Sequence, residues 1–361
     1  MTHLRILRWS IPALALAWSA CHPQSPPPPS AAAAAAKPPI DEGERRADLV
    51  GAHRIGMPGP QLVLKTIDGQ TIDLAKLYGD KPVYLKFWAT WCIPCRAQMP
   101  AFERTYEALG DKIQVISVNA GLDDDEASVR AFRDERGLRM PTVVDDGRLA
   151  AALDLQVTPQ HVLIGRDARI AYVGHLDGER LDRAIQQVIA APAPAHAAAG
   201  QAMAMRAAFR PGDVVQGLEA TTLDGTVVPL GPLGNGRPRA VMLFSAFCET
   251  YDGIKNNLPQ KRETCRRIRE QLAPLVAAGE VDWLGVAHNL WTTPEDVAEY
   301  KATTHTEFPL AFDSDGALFR AFGVHQMPTI ALIGADGRLV RMVGPDDRDL
   351  AEAVHALAAR H

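Results

Sequence analysis

Two stretches of this chain read alike at a fixed distance. Thr66-Ile-Asp-Gly-Gln-Thr-Ile-Asp-Leu74 is answered by Thr222-Leu-Asp-Gly-Thr-Val-Val-Pro-Leu230, and their aspartates lie 224 − 68 = 156 residues apart. The same offset carries Cys92 onto Cys248, since 248 − 92 = 156. Further on, the run from Val157 to Gly165 resembles the run ending at Gly334, and Pro159 falls on Pro328 at 328 − 159 = 169. A duplicated frame calls for two copies of one supersecondary plan. The second copy is enlarged by 169 − 156 = 13 residues between its first cysteine and its late proline. The low-complexity stretch Ala191-Pro-Ala-Pro-Ala-His-Ala-Ala-Ala-Gly200 separates the copies.

Each copy has the same order of local signals. An Asp-Gly turn between short alternating runs predicts a hairpin. An apolar run bounded by turn residues predicts a buried strand over 83–88 in the first copy and 240–244 in the second. Helical patterns over 96–109 and 126–136 flank a further apolar strand at 113–118. Two strands joined by a tight turn, 162–164 and 170–173, close the copy. Strands alternating with helices give an α/β sheet, and the final pair makes it mixed. The expected domains span 51–190 and 205–361, with a linker at 191–204. The net charge of -5 and pI of about 6.1 supply no basic field, so a nucleic-acid partner is not expected.

The N-terminus predicts export. Arg5 and Arg8 precede an apolar stretch from Ile11 to Trp18, and Ser19-Ala20 lead into Cys21. The stretch is too short for a comfortable membrane span. Small residues before a cysteine resemble a bacterial lipoprotein box, which makes Cys21 a lipidation candidate and residues 1–21 a signal peptide. Trp18 departs from that box, and an ordinary cleaved signal with a chance cysteine is the alternative. Residues 22–50 read as a Pro/Ala-rich tether. Export places the chain where disulfides persist, in the periplasm as an anchored lipoprotein.

Phe87-Trp-Ala-Thr-Trp-Cys-Ile-Pro-Cys-Arg-Ala-Gln-Met-Pro100 carries the chemistry. Two residues between Cys92 and Cys95 let both sulfurs meet across the first helical turn. The unpaired N–H groups there favour a thiolate at the first sulfur. Pro94 is tolerated in that turn because its nitrogen has no helical partner to lose. Half a zinc site or a structural staple would need other surroundings. Zinc wants four ligands and no second Cys-x-x-Cys exists, while Trp91, Pro94 and Pro159 favour exchange chemistry.

Trp-Cys-x-Pro-Cys-Arg-Ala-x-Met-Pro resembles the TlpA/ResA type of membrane-anchored periplasmic thioredoxins, over residues 51–190. That resemblance implies two tandem thioredoxin-like domains, each a central mixed sheet flanked by helices. The second would be a redoxin-like copy that lacks the Cys-x-x-Cys. It further implies a thiol-disulfide oxidoreductase with Cys92 as nucleophile and Cys95 as resolving thiol, the disulfide itself serving in place of any cofactor or metal. Pro159, preceded by Thr158, matches the family's cis-proline, which presents backbone groups to an incoming chain. Expected partners are protein disulfides or thiols and a membrane electron donor of the DsbD type. Two residues depart from the pattern. Lys86 stands where thioredoxin has a buried acid; it either tunes a thiol pKa or snorkels to the surface. Gln98 stands where several relatives carry Glu.

In the second copy, Tyr251 replaces the resolving cysteine and Cys265 lies further on. Gly253, Asn256, Asn257 and Pro259 break helical order, so a loop could fold Cys265 back onto Cys248. Three readings stay open: a structural disulfide, a redox pair that relays electrons or acts as a thiol peroxidase centred on Cys248, or a copper site with His288 or His325. Pro328 is the cis-proline candidate of this copy. The acidic run Asp123-Asp124-Asp125-Glu126 reads as a helix cap and solvated turn.

Overall fold

The computed structural model describes residues 41–192, 207–232, 234–249 and 258–360. The expected signal peptide, Cys21 and most of the linker lie outside the described residues, as do Tyr251, Gly253, Asn256 and Asn257. Residues 41–50, expected within the tether, are not tether. Helix α1 (Glu42–Arg54) begins there, capped by Asp41 accepting from the Glu44 N–H, with Ala47 and Val50 buried.

The first domain continues with a hairpin, β1 (Val63–Lys65) and β2 (Thr71–Asp73), and the short α2 (Leu74–Leu77). Its turn is the expected Asp-Gly, with Gly69 at φ 82°. Then come β3 (Val83–Trp88), α3 (Ile93–Leu109), β4 (Gln114–Asn119), α4 (Glu126–Arg136), β5 (Thr142–Val144), α5 (Arg148–Ala152), β6 (Gln160–Ile164), β7 (Ile170–Gly174) and α6 (Glu179–Ala190). The sheet order is β5-β4-β3-β6-β7. The β5–β4–β3 pairings are parallel; β3–β6 and β6–β7 are antiparallel.

The second domain repeats this plan. It has the hairpin β8 (Glu219–Thr221) and β9 (Val227–Pro229), then β10 (Arg239–Phe244), α7 (Leu258–Ala278), β11 (Asp282–His288), α8 (Pro294–Thr304), β12 (Leu310–Asp313), α9 (Ala317–Phe322), β13 (Thr329–Ile333), β14 (Leu339–Val343) and α10 (Leu350–Ala358). Its order is β12-β11-β10-β13-β14. Even the sheet irregularity recurs, between Leu163 and Ile164 and again between Leu332 and Ile333. Pro259, expected as a breaker, stands second in α7, where a missing N–H removes no helical bond.

Every residue of β3 is buried because both faces of the sheet are covered. Tyr84 and Trp88 point into a cluster with Met99 and Phe102 of α3, Phe132 of α4 and Leu181 of α6. Leu85 and Phe87 point the other way, under the hairpin. That second cluster is continuous with Leu243, Val286 and Phe319 of the other domain, so the two sheets share one apolar region. Each large apolar side chain so buried contributes about 1.5–3 kcal/mol.

Candidate functional site

β3 ends at Trp88, and the chain turns through Ala89–Trp91 before α3 begins. Cys92 is the N-cap of α3, with extended backbone at φ −78° and ψ 108°. The Cys95 N–H donates to Cys92 Sγ at 3.2 Å, one of the orphan donors of a helix start. The two cysteines are joined, with Cα atoms 5.2 Å apart. Cys92 is 3% exposed and Cys95 fully buried, so the first cysteine is the more open of the two. Ile93 beside them is 47% exposed. Trp91 is fixed by its indole N–H donating to the Leu122 carbonyl at 2.9 Å.

The Thr158–Pro159 bond is cis, and so is Met327–Pro328, as the two aligned prolines led one to expect. Cys92 Sγ lies 3.3 Å from the Thr158 carbonyl oxygen, which puts the proline loop across the disulfide. His175, at the end of β7, donates from Nδ1 to the Pro159 carbonyl at 2.7 Å and holds that loop in place. Nothing in the local sequence marks His175, because only the pairing of β6 with β7 brings it there.

Behind the disulfide runs a buried polar chain. Lys86 is 1% exposed and does not snorkel. Its ammonium donates to Gln98 Oε1 at 2.9 Å, and the same oxygen lies 3.0 Å from His161 Nε2. An amide oxygen only accepts, so His161 carries its proton on Nε2 and takes the Tyr84 hydroxyl on Nδ1, at 2.8 Å. Gln98 also donates to the His175 carbonyl at 3.1 Å. Gln98 follows Cys95 by three residues on α3, so the oxygen that holds Lys86 belongs to a residue about one helical turn along from Cys95. Burial pulls the Lys86 amine down to about 7, partly offset by the charge of Asp177. Burial likewise holds His161 well below its ordinary value, with the Lys86 charge adding to the effect.

The acidic run is only partly the solvated turn expected of it. Asp125 caps α4, accepting from the Ser128 N–H. Asp124 is buried, and accepts from the Thr90 N–H at 2.8 Å, the Thr90 hydroxyl at 2.5 Å and Asn119 Nδ2 at 2.7 Å. It thereby ties the loop after β4 to the turn before Cys92. Burial raises its carboxyl above the usual range, against the pull of those donors.

In the second domain Cys248 and Cys265 are joined, with Cα atoms 6.0 Å apart. Cys248 follows β10 as Cys92 follows β3, while Cys265 comes from α7. His288 and His325, the histidines of the copper reading, each have a hydrogen-bond partner at Nδ1. The Leu290 N–H donates to His288 Nδ1, and His325 Nδ1 lies 3.1 Å from the Gly121 carbonyl. Among the described residues no three His, Cys, Asp or Glu side chains gather as a metal site.

Residues 55–173 match the AhpC/TSA family. The chain is 38% identical over 105 residues to the thioredoxin-like protein YneN of Bacillus subtilis, covering 29% of this chain and 61% of that relative. It is 34% identical over 122 residues to the thiol-disulfide oxidoreductase ResA of Halalkalibacterium halodurans, covering 33% and 68%. With ResA of Bacillus cereus it shares 30% over 139 residues, covering 37% and 79%. Among solved structures, a thiol:disulfide interchange protein of the thioredoxin family from Chlorobium tepidum aligns at 20% identity and a TM-score of 0.34, covering 37% of this chain and 97% of that one. Through its first domain and the disulfide at the start of α3, this chain belongs to the ResA family of thiol-disulfide oxidoreductases.

Proposed function

We propose that this protein reduces disulfides of protein clients outside the cytoplasm, with Cys92 as the attacking and Cys95 as the resolving thiol. The observation that carries the reading is the half-hidden pair itself: a first sulfur at a helix N-terminus under a cis-proline loop, a second sulfur wholly buried. In the reduced protein the Cys92 thiolate attacks a client disulfide and forms a mixed disulfide. Cys95 then attacks Cys92, and the client leaves as a thiol. Thr158 and Pro159 align the incoming chain, Trp91 and Ile93 give it an apolar rim, and Pro94 keeps the first turn of α3 open at its N-terminus. Lys86, bonded to Gln98 of the turn that follows Cys95, tunes the proton equilibrium of the resolving step. Cytochrome c maturation or general redox homeostasis of the envelope fits such a reductant, fed by a membrane dithiol donor of the DsbD type. An anchor at Cys21 would hold it on the membrane.

The test is reduction of insulin by the dithiothreitol-coupled protein, beside the potential of Cys92–Cys95 in a glutathione buffer. Cys92→Ser abolishes turnover if the assignment holds. A potential near thioredoxin's, about −270 mV, supports a reductant; one near about −120 mV marks an oxidant and overturns the proposed direction.

A further inference from the structure

The ends of the two domains that carry their cysteines face each other through a contact that is made twice. The Asp123 N–H donates to the His325 carbonyl at 2.6 Å, and the Trp291 N–H donates to the Gln156 carbonyl at 2.9 Å. Asp123 and Trp291 occupy matching places after β4 and β11, at 291 − 123 = 168, and both have left-handed backbone, φ 57° and 59°. Gln156 and His325 match at 325 − 156 = 169. The two bonds are therefore one contact repeated about a local pseudo-two-fold axis. The side chains follow suit. Asp123 Oδ1 accepts from the Met327 N–H at 2.9 Å, and the Trp291 indole N–H donates to Thr158 Oγ1 at 3.3 Å. Thr158 and Met327 precede the two cis-prolines. Each domain thus lays the same loop on the other's proline loop. Trp291 further stands edge-on against His175, with ring centroids 5.5 Å apart, and Lys261 of α7 pairs with Asp123.

This arrangement sets the second domain against one side of the Thr158–Pro159 loop, while Ile93 beside the Cys92–Cys95 disulfide stays exposed. The cleft left between the domains is lined by Trp91, next to Cys92, and by Cys248, Ser245, Phe247 and Trp291. Cys265 does not line it. Cys248 and Cys265 are buried to a similar degree, 7% and 6% exposed, and it is the lining of the cleft that sets Cys248 apart.

We infer that the Cys248–Cys265 disulfide is a built-in substrate of Cys92–Cys95, so that the chain passes reducing equivalents from its first domain to its second. This rests on the exchange chemistry proposed above and adds its partner. The Cys92 thiolate attacks Cys248 Sγ, the Cys248–Cys265 bond breaks, and Cys265 leaves as a thiolate that takes up a proton. Cys95, having lost its proton, attacks Cys92 Sγ, and Cys248 leaves as a thiolate. One dithiol and one disulfide have exchanged two electrons: Cys92–Cys95 ends closed and Cys248/Cys265 ends open, ready for an acceptor outside the chain. Cys248 opens on a cleft that Trp91, the neighbour of Cys92, also lines, a placement that a staple for the inserted loop would not require.

The experiment uses the full chain, oxidised, treated with limiting dithiothreitol, quenched with acid and alkylated, and reads the state of each cysteine by mass spectrometry. Opening of Cys248–Cys265 should slow by about tenfold or more in Cys92→Ser, because direct attack by the small thiol replaces delivery through Cys92. Equal opening in Cys92→Ser and in the natural chain overturns the relay, and so does a Cys248–Cys265 bond that stays closed in the folded natural chain after Cys92–Cys95 has opened. A second variant, Cys95→Ser with Cys265→Ser, removes both resolving thiols. Held in a glutathione buffer, it should accumulate a monomeric Cys92–Cys248 linkage, recovered as a joined peptide pair; its absence counts against the proposal. Insulin reduction by the natural chain is followed in parallel. Retained insulin turnover with no relay refutes the relay alone, whereas loss of insulin turnover refutes the exchange reading beneath it.

Discussion

Replacing Lys86 by Met should make the stability of the first domain less dependent on pH, by an amount the structure sets. The natural amine is buried on the α3 side of β3, and its pKa falls from 10.5 to about 7. A lysine whose folded value lies below its unfolded value destabilises the fold fully at pH values below both, and not at all above both. Between them the unfolded chain binds the additional proton, so stability rises with pH. Full depression is worth roughly 5 kcal/mol at 1.36 kcal/mol per unit. About that much acts at pH 6, and about 2 kcal/mol remains at pH 9. A methionine side chain has the length to fill the space but no charge to bury. The bond to Gln98 can be made by the neutral amine too, so its loss shifts stability at every pH, while the attraction of the charged amine to the Phe102 ring, 5.2 Å from its centroid, is already contained in the folded pKa. The slope therefore isolates the buried charge. Urea unfolding of both proteins with disulfides intact, followed by tryptophan fluorescence at pH 6, 7.5 and 9, gives the difference at each pH. Lys86→Met should lose about 3 kcal/mol of relative advantage between pH 6 and pH 9. A difference that stays constant across that range would refute the assignment of a low-pKa amine to this site.

Two further substitutions probe the loop after β4. Gly121 has φ 68°, and a Cβ there would meet the Asp145 carbonyl oxygen at 2.1 Å, so Gly121→Ala should cost about 2 kcal/mol or more; an unchanged midpoint in urea would show that the loop has another conformation. Asp124→Asn presents an amide to donors that all need an acceptor, so about 1–3 kcal/mol should be lost and the turn before Cys92 loosened. Thermal unfolding measures the loss of stability and hydrogen exchange at Thr90 the loosening. Full protection at Thr90 in this variant would count against the role given to Asp124.

Much of the redox site was legible without coordinates because its logic is local. A Cys-x-x-Cys after an apolar strand meets a helix start whatever surrounds it, and an aligned Pro after Thr158 or Met327 marks the facing loop. The duplicated plan was legible for a related reason: hairpin turns, buried strands and prolines recur at fixed offsets along the chain. Lys86 shows where that reach ended. Its position in a strand was plain, but burial or escape to the surface depended on which face α3 and α6 would cover. His161 and His175 carried no pattern, since the pairing of β6 with β3 and β7 brings them to Gln98 and Pro159. Asp124 read as a solvated acid because a run of like charges usually is one, and only the fold brought the turn at Thr90 and the end of β4 at Asn119 to it as donors.

Spacing and turn chemistry act over a few residues, and they suffice to set the two sheets, the strand-to-helix placement of Cys92 and the alignment of both prolines. The packed molecule adds what they could not: that Cys248 and Cys265 meet, that Trp291 lies on Thr158, and that the cysteine-bearing ends of the two domains share one cleft. Those contacts join residues more than a hundred positions apart or cross an inserted segment. They depend on how two finished surfaces fit, which no local pattern encodes.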